Sequence, residues 1–256
     1  MPVLWRPDNS AAMPEPGAVM LSCFPSAGLA PTVAGHYILQ MLKLPRIGTF
    51  ISGDFPPLAV IQGGRVNPPV RAYGRKDLVL ILSEFPLPPD LITPVAGAIL
   101  AAAAELKAGR ILGLEGVVPH PFEPGEADRA KPDETVWYAG SGSSESLPPE
   151  YKAAGVRTMT DGVIGGVSGA LLVESLGTQM PVGALLVSAS DAGYPDHRAA
   201  AKIIEVIDQV LPHVQIDTRP LRTQAEMIER ALRAAVKTRD VPTENVPKAG
   251  EPSIYQ

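Results

Sequence analysis

The chain has 256 residues, 45% hydrophobic and 19% charged, with a net charge of −5; that is enough for a sizeable core, and it excludes a broad nucleic-acid surface, which needs clustered Lys and Arg. Cys23 stands alone, which excludes an internal disulfide and fits a reducing compartment. The opening MPVLWRPDNS lacks a signal-peptide pattern, and no run nears the roughly 20 apolar residues that span a bilayer, so a soluble cytoplasmic protein is expected.

Residues 1–17 are rich in Pro and polar residues and read as a loose lead. Ala18 to Phe24 is a first buried strand, followed by a turn at Pro25–Gly28 and a helix with Pro31 in its first turn. Ala34, Ile38 and Met41 form that helix's apolar stripe, and His36 lies on it without a metal-ligating neighbour in sequence. Short strands are expected over 47–51 and 58–61. Gly63-Gly64 signals a hairpin, whose return arm is predicted at Val70–Tyr73 and at a sheet edge because of Pro68-Pro69. Leu78–Leu82 is a buried strand, Thr93-Pro94 starts a helix with Ala96, Ile99, Leu100, Ala103 and Leu106 inward, and Ile111–Val118 returns to the sheet.

Pro119–Glu134 reads as a polar loop containing His120, Thr135–Ala139 as a strand, and Gly140–Ser146 as a surface loop within one domain. The stretch Asp161–Asp196 then organises the chain. It holds a glycine-rich turn, a short apolar helix closed by Gly177, and the strand Val182–Val187, whose unbroken apolar run calls for a sheet covered on both faces. Asp196 suits an N-cap for a helix bearing Ala200, Ile203, Ile204, Ile207 and Leu211 on one face. A last helix is predicted over about 218–237. Residues 238–256 turn proline-rich and poor in apolar side chains, too poor to fold alone, and end on Ile254-Tyr255-Gln256.

Several constellations are candidates for function. Gly162, Gly165, Gly166, Ser168 and Gly169 crowd a turn that opens a helix, which suits either an anion on the unpaired N–H groups or tight backbone packing. The turn is neither a Walker A loop nor a GxGxxG fingerprint. Gly166-Val167-Ser168-Gly169-Ala170 nearly spells a nucleophile elbow, with Asp191 and His197 following in hydrolase order. However, TMTDGVIGG is a poor strand to precede an elbow, and His197 fits the first turn of a helix. No His or Cys pair has metal-ligand spacing, so neither a metal nor a cofactor is expected. Glu84, Glu115, Asp161 and Asp191 fall near strand ends, where open α/β sheets bind ligands, and nothing in their spacing selects one. The C-terminal Ile-Tyr-Gln suits a socket that takes an apolar group, a hydroxylated ring and a carboxylate.

The run GVIGGVSGALLVES, then Tyr194-Pro195-Asp196 with Arg198-Ala199-Ala200, and Ile216-Asp217, resembles the proteasome assembly chaperone family. That group includes the second eukaryotic chaperone subunit and its archaeal homologues. FPPLAVIQGG, PPVRAYG and LVLILSEFP in the first half are similar to it as well. The resemblance covers most of residues 18–237. It implies a three-layer αβα sandwich with a mixed, mostly buried, phosphorylase-like sheet, a homo-oligomer, and no catalysis. It also implies a partner, since some archaeal members end in hydrophobic-Tyr-any residue, the motif that docks between α-subunits of the 20S core particle. Ile254, Tyr255 and Gln256 match that motif position by position. The alternative is a phosphorylase-like enzyme, or a nucleotide- or phosphate-binding protein, using the turn at 162–169.

Overall fold

The computed structural model describes residues 2–8, 10–118, 134–141, 146–190, 194–211 and 214–239, with side chains to residue 228 and at residue 230. Eleven strands are present among these residues: β1 Leu4–Pro7, β2 Val19–Cys23, β3 Arg46–Ile51, β4 Val60–Gln62, β5 Arg65–Asn67, β6 Val70–Arg75, β7 Leu78–Ser83, β8 Arg110–Val117, β9 Val136–Ser141, β10 Arg157–Thr158 and β11 Val182–Ser188. The helices are α1 Ala30–Leu42, α2 Pro89–Glu105, α3 Pro149–Ala153, α4 Gly166–Glu174, α5 His197–Val210 and α6 Arg219–Arg239. Nine strands form one mixed sheet, ordered β1-β3-β6-β7-β2-β8-β11-β9-β10. Its centre, β7-β2-β8-β11, is parallel throughout.

The period-2 alternation of these strands divides the core in two. Leu21, Leu80, Leu82, Leu112, Leu114 and Leu185 face α1 and α5, with Leu221 of α6 in the same cluster. Met20, Val79, Ile81, Ile111 and Val182 face α2 and α4. The result is a three-layer αβα sandwich around a sheet buried on both faces. Unbroken apolar strands such as LVLILS require that arrangement, because each face of the strand needs its own cover.

Most predicted elements are present, and the exceptions have physical causes. The lead is not loose: β1 pairs with β3 at the sheet edge, and Trp5 packs on Phe50 with ring centroids 5.1 Å apart. The hairpin's return arm is β5, not Val70–Tyr73, with Ile61 opposite Val66. Pro68-Pro69 separates that arm from β6, a fully interior strand between β3 and β7. Helix α2 starts at Pro89, so Pro94 lies inside it. Pro94 is exposed there and forfeits one helical hydrogen bond. Met41 is also turned outward rather than inward. Helix α3 and the two-residue strand β10 were not legible in the sequence.

Candidate functional site

Polar side chains gather where the parallel strands end, around two carboxylates on either side of β2. The first cluster lies at the end of β7. Arg71 of β6 is fully buried, and its guanidinium donates to the Glu84 carboxylate, to the Pro68 carbonyl at 2.9 Å and to the Tyr73 hydroxyl at 2.8 Å. Tyr73 in turn donates to Gln62 of β4 at 3.2 Å, tying the small hairpin to the core. His36 of α1 reaches Glu84 with its Nε2 3.1 Å from Oε1. Burial pushes the Glu84 carboxyl up, but hydrogen bonds from His36 and Arg71 and their charges outweigh it and hold the group below its usual range. Sequence reasoning placed Glu84 at a strand end and left His36 without a partner; it missed Arg71. An Arg inside an apolar strand run, PPVRAYG, was the available signal, since a buried Arg demands an acid.

The second cluster sits on β8. Alternation along the strand puts Ile111, Gly113 and Glu115 on the face that carries α4. At Gly113 a Cβ would lie 2.7 Å from Ser168 Oγ, so only glycine lets α4 lie this close to the strand. The close approach brings Ser168 to Glu115, which accepts hydrogen bonds from Ser168 and from Ser26. Ser26 also accepts from the Gly116 N–H at 2.8 Å. Among the described residues no cation offsets the burial, which drives the Glu115 carboxyl up to about 7 against the two weaker serine bonds.

The glycine turn forms the roof of this cluster. Gly162 and Gly166 have φ of 149° and 62°, where a side chain would be strained, and Gly169 is pressed against the Ile164 carbonyl. Gly165 meets nothing nearby. The Gly166 Cβ position lies 3.9 Å from both oxygens of Glu115. An anion held at the start of α4 would therefore meet a carboxyl group.

The elbow arrangement is not assembled. Ser168 is buried on α4, whereas His197 starts α5 on the other side of the sheet, with Nδ1 3.0 Å from its own Pro195 carbonyl. Asp191 and His120 lie outside the described residues. Cys23 is fully buried, which pushes its thiol pKa up and removes it as a nucleophile. Among the described residues, no group of three or more His, Cys, Asp or Glu side chains converges on a point, and no helix is long and apolar enough to cross a membrane.

The motif residues of the second half serve architecture. Asp196 caps α5 by accepting from the N–H groups of Arg198 and Ala199, and it accepts a third bond from Ser190. Ala199 and Ala200 are buried, and the Ile216 N–H donates to Asp208 at 2.9 Å. Ile254, Tyr255 and Gln256, the predicted partner-binding residues, lie outside the described residues.

With a three-layer body and strand-end clusters that hold no assembled triad, the chain meets its relatives. A sequence model of the PAC2 family matches residues 20–236, and the chain belongs to that family. PbaA of Pyrococcus furiosus, described as an archaeal homolog of proteasome-assembly chaperone, is 29% identical, with a TM-score of 0.77 over 94% of each chain. An uncharacterized protein of Methanocaldococcus jannaschii is 28% identical over 216 residues, 84% of either chain. PbaB of Pyrococcus furiosus, described as an archaeal proteasome activator, shares the fold at a TM-score of 0.72 and 21% identity, over 92% of this chain and 99% of its own.

Proposed function

We propose that this protein is a non-enzymatic proteasome assembly chaperone or activator that docks Ile254, Tyr255 and Gln256 on the α-ring of the 20S core particle. The observation that carries the reading is membership of the PAC2 family joined to the whole-length likeness to PbaA. The C-terminal Ile-Tyr-Gln, matching a docking motif found in archaeal members, supplies the contact. Ile254 fills an apolar cleft, Tyr255 packs its ring while its hydroxyl finds a partner, and Gln256 offers mainly its terminal carboxylate to a basic group.

One such arm binds weakly, because ordering it costs entropy. Several arms on a homo-oligomer share the contact through effective concentration, which raises avidity by roughly 10²–10⁴ where the geometry permits. The folded body sets the spacing of the arms, and no cofactor enters the mechanism. The rival use of Gly162–Gly169 as a phosphate turn is opposed by the carboxyl of Glu115 beneath it. The test is binding to purified 20S particles by the full chain and by a version ending at Ser253. Tail-dependent binding supports the reading. Equal binding by both forms, or none by either while the body stays folded, overturns it.

A further inference from the structure

The geometry that turns an anion away from the glycine turn suits a cation. In the main sheet, β3, β6 and β7 lie on one side of β2, while β9, β10 and β11 lie beyond β8. The chain therefore winds in opposite directions from β2 and from β8. The crevice past the carboxyl ends of two such strands is where open α/β sheets take ligands. Ser26 follows the end of β2 and Glu115 stands near the end of β8; they hydrogen-bond across this crevice, and the Gly116 N–H also reaches Ser26.

Three observations mark a place left for a donor. First, an ionised carboxylate has about four lone-pair positions, of which Ser26 and Ser168 fill two. The approach to the oxygens past Gly166 is clear: the only atoms within 4 Å of a Cβ built there are the two oxygens of Glu115, each at 3.9 Å, and a Cβ at Gly165 meets nothing. Both glycines are exposed and Glu115 is partly so, which leaves the carboxyl open to solvent. Second, Ser22 is 1% exposed, yet its hydroxyl has no hydrogen-bond partner among the described residues. Ser22 pairs with Gly113, the residue over which Ser168 sits, so its side chain points to the same face beneath α4. Third, the chain gives its other strand-end acid, Glu84, a fixed cation in Arg71; among the described residues Glu115 has none. Buried acids are normally paired.

We infer that Glu115, with Ser22, Ser26 and Ser168, is a binding site for a guanidinium or amidinium group, which sets two parallel N–H donors on the two carboxylate oxygens. A planar fork suits this carboxylate because both oxygens are equally distant from the open approach. An ammonium is a point charge without that fork, and a calcium ion asks for more oxygen ligands than one carboxylate among hydroxyls supplies. The remaining donors of the planar cation suit the hydroxyl oxygens of Ser22 and Ser168. The group is carried either by a free small molecule or by the arginine side chain of a partner.

The test is calorimetric titration of the full chain with methylguanidine, with acetyl-arginine methylamide and with tetramethylammonium, a cation without donors. Methylguanidine should bind once per chain with a dissociation constant of about 1 mM or below, within reach of so small a ligand. The affinity should fall at least about tenfold in Glu115→Gln, which keeps the shape and removes the charge. Tetramethylammonium should not bind. Binding of both guanidinium probes assigns the source to an arginine side chain, and binding of methylguanidine alone assigns it to a free small molecule. No binding of methylguanidine, equal affinity in a folded Glu115→Gln, or equal affinity for tetramethylammonium overturns the inference. A chain ending at Ser253 should bind methylguanidine as the full chain does, which separates this site from tail docking.

Discussion

Glu84 and Glu115 stand at similar heights on two strands that flank β2, yet their surroundings oppose each other. Glu84 faces a buried guanidinium and an imidazole and is held as a carboxylate. Glu115 faces two serine hydroxyls and, among the described residues, no cation, so burial pushes its pKa to about 7. One site is a fixed ion pair that secures an interior strand and its hairpin; the other is a carboxyl whose ionisation costs folding energy near neutral pH.

The largest expected effect comes from breaking the ion pair. Glu84→Ala leaves Arg71 charged with no acid inside the protein, and a loss of about 3–5 kcal/mol is expected in denaturant unfolding at pH 7. Because the Glu84 pKa is lowered on folding, the stability it contributes in the wild type is present above its ordinary value of 4.5 and fades as pH falls. A destabilisation below 1 kcal/mol would show that water reaches Arg71.

Glu115→Gln should act in the opposite direction. A carboxyl raised from 4.5 to about 7 contributes stability that is complete below pH 4.5 and lost as pH rises through 7. The Gln variant should match the wild type in acid and exceed it by about 2–3 kcal/mol at pH 8. Equal stability at both pH values would mean that Glu115 ionises freely. Asp196→Ala removes the α5 cap and should cost about 1–2 kcal/mol at pH 7, read from the thermal midpoint. His36→Ala should be the mildest, at less than about 1 kcal/mol, because the imidazole is more than a third exposed and Arg71 still holds Glu84. A loss as large as that of Glu84→Ala would make His36 an essential member of the pair.

Much of this organisation was legible in the chain. Unbroken apolar runs such as LVLILS and VGALLV specify a sheet covered on both faces, and Asp196 before a 3.6-period stripe specifies a capped helix. What failed depended on contacts distant in sequence. Trp5 makes an edge strand of a proline-rich lead only because Phe50 and Gly48 receive it. Pro94 looked like a helix start because its outward orientation is set by packing, not by neighbours in sequence. Of the polar clusters, the acids could be placed at strand ends, but the partners could not. Arg71 lies 13 residues before Glu84, and Ser26 and Ser168 lie far before and far after Glu115 in the chain. Gly113, which admits Ser168, looked like any glycine within a strand.

The central claim is that a free C-terminal Ile-Tyr-Gln delivers this body to the proteasome. The most direct measurement is the affinity of the full chain for 20S particles, with and without one alanine added after Gln256. The extension leaves every described residue untouched and moves the terminal carboxylate off its partner. The account predicts that binding falls by at least about 10²-fold, the scale of the avidity at stake, while the melting temperature stays the same. Unchanged affinity in the extended chain would contradict it.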